Sequence, residues 1–368
     1  MEKQQLLLKK FDLISSQIWQ KKIVEELKLN EWNDTLFEAF KETKIAPFYT
    51  KSDIAFDENI FSKNIGKNWH TNATINATNI EDDLIKKLIL DEGIDSISLK
   101  NIDINKTTIH SLLNIQKKHN VLFHLIPEIR QKYDFNKALN LTGTIKGSFI
   151  IPLSYFNDTN YLDNYISAIS KENLYTIKLF SISAPDSVTD PAEEVSYLLS
   201  LAVEILDRLT EKGIPINVAA GLIQFSVNIY NSFFVQLSKL RALRLLWQII
   251  KTKYDKNAES AIFIMSNCTS HKKDYDHNLI AYTCQCIAAI CGGTDVITFP
   301  EDQNTFYNRL NRNISILLKE ESNLQNYIDV AYGAYYPDVI SYKISESAWN
   351  RFIQIEESGG FFKNIKRG

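Results

Sequence analysis

From about residue 66 onward, short runs rich in β-branched and aromatic residues alternate with longer stretches of helical spacing, and they do so eight times. The strand-like runs cover residues 69–75, 95–99, 121–126, 141–151, 175–182, 216–229, 261–265 and 295–299. Between them the helical period of 3.6 appears at 82–91, 107–118, 160–170, 191–211, 232–253, 278–290 and 303–321. The punctuation agrees. Pro191 suits a first helical turn, where its missing N–H costs nothing. Gly93, Gly213 and Gly292-Gly293 fall just after helical stretches, where a left-handed cap is wanted. Gly93-Ile-Asp-Ser-Ile-Ser and Gly293-Thr-Asp-Val-Ile-Thr repeat one helix-stop, strand-start signal. Alternation of this kind builds a parallel sheet covered by helices. Eight units imply an α/β fold of the closed (β/α)8 TIM type over residues 66–345, with an open doubly wound sheet as the alternative.

Two segments flank the barrel. Residues 1–65 form an N-terminal helical arm: Leu6, Phe11, Ile14, Ile18 and Trp19 recur at helical spacing, as do Trp32, Leu36, Phe37 and Phe40, and no strand signal interrupts them before Pro47. Residues 346–368 contain a helix at 345–357, then Gly359-Gly360 and a basic tail that reads as a solvated end. With 45% hydrophobic residues the chain can supply a core. A net charge of −3 argues against a general nucleic-acid surface. The start lacks the apolar run of a secretory leader, and the longest apolar stretch, at 195–206, is too short to span a bilayer. All four cysteines, at 268, 284, 286 and 291, lie within 24 residues, which implies reduced thiols and a cytoplasmic protein rather than a disulfide framework. Cys284 and Cys286 point to different faces of a helix, so the expectation is buried apolar side chains and no metal.

In a barrel, chemistry collects where strands end. Those ends offer His124, the run 181–186, the segment 267–274 and the segment 298–302. His271 and Asp274, with Asp302, have the residue types of a general acid–base group; the plain alternative is a polar surface loop. His124 alternates with apolar neighbours and reads as a hydrogen-bonded core residue. Gln224 and Asn228 are polar positions on the sixth strand that either line a residual cavity or are hydrogen-bonded inside the core. No phosphate loop, dinucleotide fingerprint, zinc-helix pattern or nucleophile elbow occurs. The stretch 233–247 is a helix apolar on most sides, with Lys239, Arg241 and Arg244 confined to a narrow part. Such a helix packs on two faces, part of that packing being against another chain.

That helix is similar to the one that reads N-F-F-x-x-x-x-K-x-R-A-x-R-x-L-W in the cobalamin-dependent acyl-CoA mutases, the methylmalonyl-CoA mutase family in particular. Phe233-Phe234, Lys239, Arg241-Ala242, Arg244 and Leu246-Trp247 match it. Further matches follow in order: Thr269-Ser270 with Asp274 and Asn278, Ala288-Ala289 with Gly292-Gly293 and Asp295, Arg309 with Arg312-Asn313 and Glu320-Glu321-Ser322, and Asp329 with Gly333 and Tyr335-Tyr336. The resemblance covers residues 44–358 and implies the TIM-type barrel. Its departures carry equal information. The family's S-x-S-G-Y-H after strand five is here Ser181-Ile-Ser183-Ala184-Pro185-Asp186, without the tyrosine–histidine pair. The arginine and serine that touch coenzyme A on strand six are replaced by Leu222 and Gln224. None of the six histidines stands in the D-x-H-x-x-G motif whose histidine ligates cobalt, and no cobalamin-binding domain is expected in this chain. The resemblance therefore implies a non-catalytic small subunit, with no catalytic, cofactor or metal residues of its own. Adenosylcobalamin would sit on a catalytic large mutase subunit, the partner in a heterodimer. Acyl-CoA would be met only through that complex, and Leu6, Phe11 and Trp19 are candidates for the contact. The alternative is a barrel-only mutase chain served by a separate cobalamin-binding subunit.

Overall fold

Apolar and polar residues alternate along 96–99 and 223–229, and the two faces of the resulting sheet go to different places. The computed structural model describes residues 14–32, 37–40, 43–57, 60–61, 68–77, 82–127, 134–151, 159–169, 176–270, 274–327 and 329–365. After helix α1 (Ser16–Glu26) come strands β1 (Phe37–Phe40) and β2 (Thr43–Ile45). The barrel strands are β3 (His70–Asn76), β4 (Ser96–Ile102), β5 (Leu122–Pro127), β6 (Gly147–Phe149), β7 (Ile177–Lys178), β8 (Phe180–Ser183), β9 (Ile223–Ile229), β10 (Ile264–Cys268) and β11 (Val296–Thr298). They form one parallel sheet in the order β7-β6-β5-β4-β3-β11-β10-β9-β8. Strands β7 and β8 are two halves of one strand position, split at Leu179. The N–H groups of both Leu179 and Phe180 donate to the Leu222 carbonyl, at 2.8 and 3.0 Å. The first half pairs with β6 and the second with β9. The sheet thus begins and ends at the same position, closing eight positions into a ring. That excludes the open doubly wound alternative and establishes the TIM-type α/β barrel.

The helices between strands are α2 (Asp82–Leu90), α3 (Lys106–His119), α4 (Phe135–Thr142), α5 (Thr159–Ala168), α6 (Pro191–Glu211), α7 (Ile216–Gly221), α8 (Phe233–Tyr254), α9 (Tyr275–Cys291) and α10 (Thr305–Glu320). The chain finishes with α11 (Tyr335–Glu357) and α12 (Phe361–Ile365). Outward strand residues such as Ile97, Leu99, Phe123, Leu125, Phe180, Phe225 and Val227 pack with the inner faces of the helices in one continuous core. Helix α6 keeps its sequence-predicted bounds because Asp190 caps it through the Glu193 N–H at 2.8 Å and Pro191 follows directly.

Several expectations need correction. Residues 37–45 are not helical: they form an antiparallel hairpin in which Phe37 faces Ile45 and Phe40 faces Thr43. Phe40 and Ile45 are buried in the main core, and that tertiary burial overrides the helical spacing of Leu36, Phe37 and Phe40. The run 141–151 hides the end of α4 and only a three-residue strand. The run 216–229 hides α7, whose β-branched Ile216 and Val218 imitate a strand. Helix α11 starts ten residues before the expected 345, so a boundary there would cut a continuous helix. Of the basic tail, Lys363 is exposed, and the segment just before it is anchored. Phe361 and Phe362 are buried, the first against Tyr197 at 4.9 Å between ring centroids. Helix α8 packs on two faces as expected, and α6, α9 and α11 of this same chain contact it. Of the arm residues, Leu6 and Phe11 fall outside the described residues. Trp19 is half-buried, its ring 5.6 Å from Trp32 and 5.0 Å from Phe48.

Gly147 opens β6 at φ +140°, and a Cβ there would stand 1.9 Å from the Phe123 carbonyl oxygen. The neighbour is backbone and cannot yield. Gly147→Ala is therefore expected to cost about 3 kcal/mol, read as a shift in the urea midpoint with unchanged slope. A variant as stable as the parent would show that β6 does not approach β5 this closely.

Candidate functional site

Barrels of this class usually fill their interior with branched apolar side chains. Here the inward positions are small and polar. Asn72, Ser96, Ser98, His124, Ser148, Ser181 and Gln224 are all buried. They bond to one another across the strands. Ser96 Oγ donates to Asn72 Oδ1 at 3.0 Å, and Asn72 Nδ2 donates to Ser98 Oγ at 3.0 Å. His124 is hydrogen-bonded with Ser148 Oγ at 2.6 Å through Nδ1 and with Ser96 Oγ at 2.9 Å through Nε2. Above this layer, at the carboxyl ends of the strands, a cavity of about 350 Å³ opens. Its lining includes Thr74, Ser98, Ser181, Ser183, Ser226, Asn267, Met265 and Cys268, with Lys100 and Glu301 also contributing.

The sequence-predicted residues fare differently. Gln224 is fully buried in the layer beneath the cavity, where Nε2 donates to Ser181 Oγ at 3.0 Å and lies 3.8 Å from the Met265 sulfur. Asn228 sits at the strand exit. Its Nδ2 donates to Asp186 Oδ1 at 3.2 Å, and its N–H donates to Glu194 Oε1 at 3.2 Å. Asp274 caps α9, accepting from the Asp276 N–H at 3.1 Å and pairing with His277. Asp302 holds its own loop, accepting from the Asn304 N–H at 2.8 Å. Neither carboxylate lines the cavity. His271 lies outside the described residues. The hydroxyl lining was not picked out from the sequence, although it had a signal: Ser96-x-Ser98, Ser181-x-Ser183 and Gln224-x-Ser226-x-Asn228 place polar groups at every second strand position.

Burial takes His124 and Cys268 out of acid–base work at neutral pH. Burial, with a smaller push from His70, lowers the His124 imidazole to about 3, so it is a neutral ring holding two hydroxyls. Burial raises the Cys268 thiol far above its ordinary range and keeps it from being a thiolate. Burial also raises Glu301, against the pull of Lys100 and Arg312. The His124 shift has a stability consequence. Between pH 6.5 and about 3 the unfolded chain holds a proton that the folded chain refuses, so stability falls on acidification across that window. His124→Gln is expected to reduce that slope by up to about 1.4 kcal/mol per pH unit in urea titrations between pH 6.5 and 4.5. Equal slopes in parent and variant would mean that the ring is not buried neutral.

Among the described residues no group of three or more His, Cys, Asp or Glu side chains is arranged to hold a metal ion. Three of the described histidines are already engaged. His124 spends both ring nitrogens on serines, His70 pairs with Asp95 at 3.3 Å, and His277 pairs with Asp274. No helix among the described residues is long and apolar enough to cross a membrane.

The strongest sequence signature, the cation-bearing helix α8, turns out to be structural. Lys239 Nζ donates to Glu194 Oε2 and to the Asn228 carbonyl, both at 2.6 Å. Arg241 bridges Asp329 at 2.5 Å and Asp338 at 2.6 Å. Arg244 bonds Asp295 at 3.2 Å and the Gly293 carbonyl. Each buried cation thus ties α8 to a different part of the barrel. Thr269, Gln285 and Asn231 form a companion lock, with Gln285 Nε2 donating to Asn231 Oδ1 at 2.9 Å.

Comparison with known proteins agrees with this skeleton. The methylmalonyl-CoA mutase family model matches residues 144–368. The methylmalonyl-CoA mutase small subunit of Porphyromonas gingivalis is 31% identical over 193 residues, covering 49% of this chain and 31% of that protein. The small and large subunits of the Streptomyces virginiae mutase are 30% and 29% identical, each over 48% of this chain and over 30% and 25% of their own lengths. The matched region thus spans about a third or less of these curated relatives. With more than half of its length matched, including the paired cations of α8 and the strands that close the ring, the chain belongs to the methylmalonyl-CoA mutase family.

Proposed function

We propose that the chain is a non-catalytic small subunit of an adenosylcobalamin-dependent methylmalonyl-CoA mutase, a cytoplasmic heterodimer whose large subunit interconverts methylmalonyl-CoA and succinyl-CoA. The observation that carries this reading is the exit of strand five. Where the resemblance implies a tyrosine–histidine pair, this chain has Ala184-Pro185-Asp186, and Asp186 is engaged by Asn228. Radical rearrangement is the cofactor's chemistry, and the protein contributes positioning and exclusion of water. The cavity mixes hydroxyls and amides with apolar Ile126, Ile150, Met265 and Phe299, and with His124 and Cys268 both tuned away from neutral titration it supplies little of that positioning. The names of the curated relatives support the subunit role. So does α1, which leaves Ile14, Ile18 and Leu27 exposed. An arm that presents apolar residues beside a half-buried Trp19 suits an obligate interface, which typically buries roughly 2,000 Å² or more.

The second reading, a barrel-only mutase chain completed by a separate cobalamin-binding subunit, draws on the open polar cavity of about 350 Å³. One set of assays separates the two. The chain is mixed with adenosylcobalamin alone, with a catalytic large mutase chain, and with a separate cobalamin-binding chain, and methylmalonyl-CoA turnover and complex size are measured. Co-elution with the large chain and no turnover in the other mixtures is expected. Turnover without a catalytic large chain would overturn the subunit reading.

A further inference from the structure

At the opposite end of the barrel, between the last turns of α8 and the segment that leads into β10, lies a second cavity of about 130 Å³. It shares no lining residue with the mouth cavity. Two cations form its wall, Arg244 and Lys251, each more than nine-tenths buried. Arg244 has the Asp295 carboxylate as partner. Lys251 has none: its Nζ donates to the Ser260 carbonyl, and no carboxylate among the described residues is within ion-pair distance of it. The Ser260 hydroxyl, also buried, has no hydrogen-bond partner and belongs to the same wall.

The charge balance around this end is positive. Lys178, which donates to the Gly221 carbonyl at 2.7 Å, shares the field of Asp295 with Arg244. Arg244 and Lys178 thus share one carboxylate, and Lys251 has none beside it. Glu259, at the cavity edge, is exposed. The carbonyl end of α8 offsets part of the Lys251 charge but amounts to only about half a unit. A buried ammonium without a counter-ion is costly, and the ordinary remedies are an anion or loss of the proton. Burial indeed lowers the Lys251 ammonium to about 8, which leaves most of it charged at neutral pH.

We infer that this cavity is a binding site for a small oxyanion of the inorganic phosphate class, held by Lys251, Arg244 and the Ser260 hydroxyl. Its volume is far below the roughly 300 Å³ of pockets that enclose organic cofactors, so a nucleotide is excluded on size. The ammonium supplies donors beyond the one spent on Ser260, the hydroxyl supplies another, and charge-assisted bonds of this kind are the strong ones.

The test titrates inorganic phosphate into the full chain at constant ionic strength, with chloride as the reference, and follows thermal unfolding and phosphorus-31 line broadening. A saturable rise in Tm is expected, because a ligand of the folded state stabilises it by mass action. Lys251→Met keeps the packing and removes the charge, so it should fold and weaken phosphate binding roughly tenfold or more. Ser260→Ala should weaken it about fivefold, and Glu259→Gln, which removes a nearby negative charge from the exposed edge, should tighten it. The nucleotide 3′,5′-ADP should give no saturable effect. Three outcomes would overturn the site. One is a Tm equal in phosphate and chloride. Another is a rise that grows without saturating and persists in Lys251→Met, the signature of general salt exclusion. The third is 3′,5′-ADP binding as well as phosphate.

Discussion

Arg241→Met is expected to remove about 5 kcal/mol of stability, the largest loss from any single side chain of the barrel wall. The guanidinium is 1% exposed, and its two carboxylate partners, Asp329 and Asp338, are 4% and 3% exposed. Removing the cation strands two buried negative charges at once, and an orphaned buried charge costs more than the pair itself contributes. Asp338 belongs to the first turn of α11, where the helix dipole gives it partial support. Among the described residues, Asp329 keeps the Ala331 N–H, at 2.9 Å. Lysine is no substitute, since one compact ammonium cannot span two carboxylates that a planar fork reaches with separate nitrogens. Arg241→Lys should therefore lose most of what Arg241→Met loses. Adding Asp329→Asn to Arg241→Met should return part of the stability by neutralising one stranded charge. The measurement is guanidinium unfolding of the four proteins. A loss under about 1 kcal/mol in Arg241→Met would contradict the bridge.

Lys239→Met should cost about 4 kcal/mol by the same logic, with a different geometric consequence. Lys239 is fully buried and Glu194 is 2% exposed, so neither charge has water to fall back on. The pair joins α8 to α6, and both members also hold the exit of β9, through the Asn228 carbonyl and the Asn228 N–H. Breaking it leaves the Glu194 carboxylate unpaired beside the barrel mouth. A double-mutant cycle separates the interaction from the loss of packing. Glu194→Gln combined with Lys239→Met should recover most of the deficit, because the amide still accepts from Asn228 while the stranded charge is gone. Strictly additive losses in the cycle would mean that the two residues do not act as a pair.

These two salt-bridge systems give the cations of α8 a structural role. Each of these three buried cations meets a carboxylate that arrives from a distant part of the chain. Lys239, Arg241 and Arg244 therefore record three separate packing constraints. The sequence reading located these residues on one narrow part of a helix packed on two faces, which is correct. The carboxylates that meet them, Glu194, Asp295, Asp329 and Asp338, are 45–97 positions away, and their proximity is a product of folding.

The same distinction runs through the site. His124 was readable as a hydrogen-bonded core residue because an imidazole among apolar strand neighbours needs partners. Register sets Ser148 opposite His124, whereas Ser96 lies opposite Leu122 and meets the ring diagonally across the strands. Asp274 and Asp302 look like an acid–base pair in one dimension, yet each is consumed by its own turn, since short polar side chains ahead of a helix satisfy the nearest free N–H groups. Gln224 and Asn228 were left between cavity and core. Gln224 lies in the polar layer under the cavity, and Asn228 is a strand-exit link between Asp186 and Glu194.

Local chemistry along the chain was enough to establish eight strand–helix units, the cap of α6 and the family signature, because period, caps and glycine stops act within a few residues. It did not reach the hairpin at 37–45, the helices α4 and α7, the split of strand five or the polar lumen. Those were decided by tertiary contact. A strand's identity depends on the neighbour that pairs with it, a buried charge on the carboxylate that meets it, and a lumen on which face of eight strands turns inward when the ring closes.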